Sequence, residues 1–143
     1  MYEGVSMKSI YLAIVLSVLV LIGCEKGEPM VLLNEPIKAI HFSPSKGVGE
    51  INETILFSIK EDADIKTVEK VILTAVKEPT VINERLPDYD VMVEYKKGLP
   101  THAIHLWVGE QDEPSILMYM VNDGETYLTT GDMTNVLREM LKK

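Results

Sequence analysis

The sequence predicts an α+β domain: an antiparallel sheet of about five to six strands, with two amphipathic helices packed on one face. Three observations predict it. Short alternating runs follow one another with turn residues between them, which favours antiparallel pairing over crossover connections. Two segments repeat their apolar residues at helical spacing, so each needs a sheet face to cover its stripe. The order along the chain, ββαββββα, leaves no room for the regular β-α alternation of a parallel sheet.

Ile37–Ser43 and Thr54–Lys60 are the first two predicted strands, separated by the turn-rich stretch Pro44–Glu53. A helix opens at Glu61-Asp62-Ala63-Asp64, where acids complement the dipole and Asp62 or Asp64 can cap free amides. Ile65, Val68, Ile72, Ala75 and Val76 form its apolar stripe, and Pro79 stops it. Tyr89–Lys96, Ala103–Val108, Ile116–Val121 and Thr126–Thr130 are the remaining strands. Asp123-Gly124 is the signature of a two-residue type I′ hairpin turn between the last two. The closing helix is capped by Asp132 and repeats Met133, Val136, Leu137, Met140 and Leu141.

Ahead of this domain lies a different kind of segment. Lys8 precedes an apolar run from Ile10 to Ile22, interrupted only by Ser17. At 1.5 Å per residue such a run spans roughly 20 Å, short of the ~30 Å hydrocarbon core of a bilayer. Its length fits the apolar region of an export signal. Leu21-Ile22-Gly23-Cys24 follows and resembles the lipobox of bacterial lipoprotein signal peptides, with Ile22 larger than the usual small residue. Gly23 gives a peptidase room at the backbone, and the Cys24 thiolate is the nucleophile for thioether formation with a diacylglyceryl group. Translation from Met7 rather than Met1 would remove the acidic Glu3 from this signal.

The expected organisation is therefore a lipoprotein signal peptide over 1–23, the lipidated Cys24 with a tether over 24–36, and one domain over 37–143. Removal of the signal leaves 120 residues, enough for one core. The expected location is the cell membrane, lipid-anchored on the extracytoplasmic face, with the membrane as partner through the anchor on Cys24.

The net charge of −8 persists after processing, because Lys8 and Glu3 cancel. An acidic domain does not supply the clustered cations that nucleic acid requires, so no nucleic-acid partner is expected. With Cys24 the lone cysteine, no intramolecular disulfide can form.

From Asp88 onward the chain resembles the YhfM-like domain of small lipoproteins from bacilli. The likeness is carried by Asp90-Val91-Met92-Val93-Glu94-Tyr95, Leu106-Trp107-Val108, Met118-Tyr119-Met120, Asp123-Gly124-Glu125-Thr126-Tyr127-Leu128, and the closing helix with Leu137 and Leu141. These are structural motifs. The resemblance implies location and fold and carries over no site residues.

Catalytic and metal-binding patterns are weak throughout. His102 and His105 are three apart, a spacing that shares a face on a helix but points to opposite faces on a strand. His41 is distant in sequence, so three or four converging zinc ligands are not expected. Glu61, Asp62 and Asp64, like Glu110, Asp112 and Glu113, lack the calcium-loop pattern and read as a helix start and a polar turn. Ser43, Ser45, Ser58 and Ser115 sit in no nucleophile motif, and Gly47-Val48-Gly49 is not a phosphate loop. No catalytic residue, metal or cofactor is predicted.

The expected function is a non-enzymatic binding or interaction domain with a protein or small-ligand partner; the alternative is an envelope-acting hydrolase using a carboxylate pair drawn from Glu94 or the 110–113 turn. The candidate contact face is the sheet face away from the helices, where alternation places Met92, Glu94, His105 and Trp107 with one of Met118 or Tyr119. Trp107 has two readings there, an exposed anchor or a core residue under a covering segment, and the second is favoured.

Overall fold

The computed structural model describes residues 4, 7–8, 27–121 and 124–143. The lipobox residues Leu21, Ile22, Gly23 and Cys24, and Asn122 and Asp123 of the predicted hairpin turn, lie outside the described residues.

The strands are β1 (Ile37–Pro44), β2 (Phe57–Ile59), β3 (Val76–Lys77), β4 (Tyr89–Tyr95), β5 (His102–Trp107), β6 (Ile116–Tyr119) and β7 (Tyr127–Leu128); the helices are α1 (Asp62–Thr74) and α2 (Gly131–Met140). They form one antiparallel seven-stranded sheet in the order β2-β1-β4-β5-β6-β7-β3. The α+β class and the two helices on one face are as expected, and the strand count is higher than expected. The additional strand is β3.

Helix α1 leaves the β2 edge and delivers the chain to β3 at the opposite edge, so it crosses the whole sheet. It buries Ile65, Val68, Val71 and Ile72, and α2 buries Leu137 and Met140. These side chains meet Phe42, Val91, Leu106 and Leu117 in one apolar core. Phe57 stacks on Phe42 at a centroid distance of 4.8 Å and closes the β2 end of it.

Several boundaries differ from the sequence reading. Helix α1 ends at Thr74 rather than at Pro79: the carbonyl of Ala75 accepts the Met30 N–H at 2.8 Å, and Val76-Lys77 pairs with β7. Glu61 occupies its N-cap position without a side-chain cap bond. In α2 the cap is Thr130, whose hydroxyl accepts the Met133 N–H, and not Asp132. Strands β6 and β7 pair Leu117 with Tyr127, whereas the predicted two-residue hairpin would pair it with Thr130.

The expected tether is also partly domain. Pro29 bridges Val76, Met30 is 1% exposed and Leu32 is buried, while Leu33 N–H bonds the Tyr95 hydroxyl at 3.2 Å. Residues of the segment before Ile37 are therefore packed on the domain.

Candidate functional site

Antiparallel register decides which polar side chains share the sheet face away from the helices. Ala39, His41 and Ser43 of β1, Ser58 of β2, Asp90, Met92 and Glu94 of β4, and Ala103, His105 and Trp107 of β5 all point there. Met118 of β6 joins them beside His105, and Tyr119 points into the core instead. The face carries two histidine clusters, one covered and one open.

The covered cluster is built on the directly opposed pair Asp90↔His105. Asp90 Oδ1 lies 2.9 Å from His105 Nδ1, and both side chains are fully buried. The stretch between β1 and β2 folds over them. Its Gly49 N–H donates to His105 Nε2 at 3.2 Å, and its Asn52 N–H donates to Asp90 Oδ2 at 2.8 Å. Because Nε2 is an acceptor, Nδ1 carries the ring proton and donates it to Asp90. Asn52 Nδ2 completes the latch on the Pro44 carbonyl at 2.8 Å.

Trp107 lies under a second cover. The stretch before β4 passes over it, and its indole N–H donates to the Arg85 carbonyl at 2.8 Å; its ring stands 6.3 Å from that of His105. Asp88 and Arg85 hold this cover down, through Val108 N–H to Asp88 Oδ2 and Arg85 to the same oxygen, each at 2.8 Å. Trp107 is thus a core residue at 2% exposure. Of the four residues expected to form a contact face, His105 and Trp107 lie beneath loops, and Met92 and Glu94 are half-buried.

The second, half-buried cluster is centred on His41, which is distant from the other two histidines in sequence. Its Nδ1 lies 2.7 Å from Ser58 Oγ on the opposed residue of β2, and its Nε2 lies 2.9 Å from Glu94 Oε2. A carboxylate can only accept, so Nε2 bears the proton, and in the neutral ring Nδ1 accepts the Ser58 hydroxyl proton. Lys38 Nζ closes the line at 2.7 Å from Glu94 Oε1. The Lys38 ammonium, and after it His41, hold the Glu94 carboxyl below its ordinary range. A hydroxyl, an imidazole and a carboxylate in hydrogen-bonded sequence can in principle pass a proton from Ser58 to His41. The nitrogens are used in the reverse sense to the familiar serine–histidine–aspartate arrangement.

His102 is separate from both. It points to the helical side, where the Tyr95 hydroxyl accepts the Leu33 N–H and gives its own proton to His102 Nδ1 at 2.7 Å. Burial pushes the His102 ring below, and the Tyr95 phenol above, their ordinary values. Among the described residues no group of three or more His, Cys, Asp and Glu converges as a metal site. In the two acidic runs, Asp64 pairs with Lys143 at 2.9 Å, and Asp112 binds Asn135 of α2 through both its N–H and its carboxylate.

Asp90 and Asn52 are not singled out as site residues in the sequence reading, and His41 and Ser58 are weighed there and set aside. The alternation that placed Glu94 outward placed Asp90 outward too, four residues earlier, and that phase was the available signal. His41–Ser58 needed the β1–β2 register, which only the folded chain supplies.

A search of solved structures gives a protein whose structure is described as a thioesterase-like protein from Clostridium sporogenes. The similarity has a TM-score of 0.56 and 11% sequence identity, covering 73% of this chain and 93% of that one. At that identity the likeness is one of fold. Comparison with curated proteins gives no match. The profile of the family described as YhfM protein matches residues 40–143, from the middle of β1 through α2. That span covers most of the sheet, both helices and all three histidines, and the chain belongs to the YhfM family.

Proposed function

We propose that this chain is a lipoprotein of the extracytoplasmic membrane face, acylated on Cys24, whose domain binds a protein or small ligand rather than catalysing a reaction. The observation that carries the reading is Leu21-Ile22-Gly23-Cys24 behind an apolar run too short to span a bilayer, with no other cysteine in the chain. The use of the polar groups supports the second half. Asp90 and His105 spend both oxygens and both nitrogens on one another and on backbone amides of the covering loop. Such a pair fixes a loop and leaves no proton acceptor for a substrate.

Metabolic labelling with a palmitate analogue tests the anchor: wild type takes up label and Cys24→Ala does not. Equal labelling of the two forms, or none in either, removes the reading. Crosslinking of the anchored protein in intact cells tests the binding role, which predicts one reproducible adduct that disappears in competition with purified domain.

A second reading, a hydrolase of envelope esters or thioesters, is favoured by one observation, the Ser58–His41–Glu94 line. The fold likeness to a protein called thioesterase-like adds to it. In this reading Ser58 Oγ attacks the acyl carbon while His41 Nδ1 takes the hydroxyl proton. The ester or thioester bond breaks, the alcohol or thiol leaves with that proton, water then hydrolyses the acyl-serine, and Glu94 steadies the ring throughout. It ranks second because the hollow beside β2, although Ser58 is part of its wall, is otherwise formed by residues such as Phe57, Ile59, Met140 and Leu141 that pack toward the helices, whereas the Ser58 hydroxyl bonds His41 on the other face. Covalent labelling by a fluorophosphonate, present in wild type and absent in Ser58→Ala, would raise it above the first.

A further inference from the structure

The distance between the proposed anchor and the packed domain is very short. Gly27 already lies against β3: a Cβ there would stand 3.1 Å from the Lys77 carbonyl oxygen. Glu28 C=O accepts the Lys77 N–H at 2.7 Å, and the bond from Met30 N–H to Ala75 C=O at 2.8 Å continues the seam. Met30 is then buried in the core, so this segment cannot peel away without opening the domain. Cys24 and Gly27 are three Cα steps apart, so whatever the path between them, they lie within about 11 Å of one another.

From this geometry, and resting on the acylation of Cys24 proposed above, we infer that the β3 edge of the sheet is the surface held against the bilayer and that the β2 edge is held away from it. The two edges are the ends of a seven-stranded order, six strand spacings and roughly 29 Å apart. A leash of about 11 Å keeps the near edge at the headgroups in every pose, whereas the far edge reaches them only when the sheet lies flat on the bilayer. Three exposed valines lie on the β6-β7-β3 side of the sheet. Val31 is clasped by the Tyr119 hydroxyl, Val121 lies two residues past Tyr119, and Val81 follows Thr80, whose N–H bonds Thr126 Oγ1 at 3.1 Å. Val81 and Val121 are 81% and 88% exposed, small apolar contacts suited to a lipid surface. Charge supplies no pull. Lys77 pairs with Glu28 and Glu125, and the chain carries −8 overall, so anionic headgroups do not attract it. The leash alone sets the orientation.

The acylated full chain, reconstituted in phosphatidylcholine–phosphatidylglycerol vesicles with nitroxide-labelled headgroups, reads this directly. The Cys24 thiol is consumed by the thioether, so a single introduced cysteine carries the fluorophore. Quenching should be severalfold stronger at Val81→Cys and Val121→Cys than at Ile55→Cys and Leu56→Cys beside β2. Inserting ten Gly and Ser residues after Lys26 lengthens the leash to roughly 20 Å root mean square and should flatten the gradient. Uniform quenching in a protein that floats with the vesicles overturns the orientation alone, and a gradient that survives the insertion overturns the leash as its cause. A chain bearing an intact Cys24 that fails to float overturns the anchoring reading, and this inference with it.

Discussion

Two histidines on one sheet face, both bonded to a carboxylate of β4, have come to different uses. His105 and Asp90 lie under the loop between β1 and β2, and every remaining polar atom of the pair is met by a backbone amide of that loop. His41 and Glu94 lie farther along β1 and β4, two residues from Ser43 and four from Asp90, where they are half-buried, and their remaining partners are a serine hydroxyl and a lysine. The same residue types thus make a latch where water is excluded and a solvent-facing network where it is not. Burial sets the difference: in a low-dielectric setting an unpaired donor is costly, so the covered pair must be completed by fixed backbone groups. The open pair can exchange its partners with water at little cost.

The largest test of this contrast is Asp90→Ala. It strands the Nδ1–H of His105 and the Asn52 N–H in a buried site, and should cost roughly 3–5 kcal/mol of unfolding free energy in urea denaturation. That is a large part of the 5–15 kcal/mol typical of a domain, so partial unfolding at ambient temperature is expected. A loss below about 1 kcal/mol would show that the covered pair is not a latch. Trp107→Phe comes next. It removes the bond to the Arg85 carbonyl and part of the ring volume under the second cover, and a loss of about 2 kcal/mol is expected. Amide exchange should rise in residues 80–88 before the rest of the sheet responds.

How much of this was legible beforehand depends on the range of the interactions. The stripe of α1 and the alternation of β4 are local patterns, and both predict their elements and their inward faces. Strand β3 was not legible. It has two residues, its partner β7 lies some fifty residues away in sequence, and Ala75 and Val76 continue the apolar spacing of the helix, so the helix reads on to Pro79. What ends it is Met30, which arrives from the amino-terminal side and takes the Ala75 carbonyl. The hairpin shows the same limit. Asp-Gly is a strong local turn signal, yet the register is set by buried hydroxyls: Ser115 N–H donates to Thr129 Oγ1 at 2.8 Å, and the Ser115 and Thr129 hydroxyls both meet Thr134 Oγ1 of α2 at 2.9 Å. Of the site, the shared face of Met92, Glu94, His105 and Trp107 was legible from alternation. The two covers were not, because turn-rich sequence carries no sign of what it lies upon.

On the open half the expected effect is smaller. Glu94→Gln keeps the shape of the side chain and removes its charge from between Lys38 and His41. Glu94 is 34% exposed and Lys38 61%, so solvent screens the pair, and a loss below about 1 kcal/mol is expected, shrinking further at high salt. A double-mutant cycle of Lys38→Met with Glu94→Gln isolates their coupling. A coupling as large as the Asp90 effect would erase the distinction between the two halves and move the open cluster into the category of buried networks.

His102 adds a third environment for the same ring and sharpens the comparison through pH. It faces the helical side, bonded to the Tyr95 hydroxyl, and burial holds its pKa below the ordinary value of 6.5. The folded chain therefore binds this proton less readily than the unfolded chain. The stability associated with His102 is complete above the unfolded value and is lost as pH falls below it, down through the folded value. Glu94 and Glu139, whose carboxyls are depressed by Lys38 and Lys142 respectively, act in the same direction but only below the ordinary carboxylate value of 4.5. Between those two limits the contribution of His102 is read as the difference between wild type and a His102 variant. Urea midpoints of wild type should fall across it as pH decreases, whereas His102→Gln, which keeps an acceptor for the Tyr95 proton, should show a shallower slope. Parallel slopes would mean that His102 gains its proton equally in both states, and that its burial beside Tyr95 and Tyr119 does not exclude the charge.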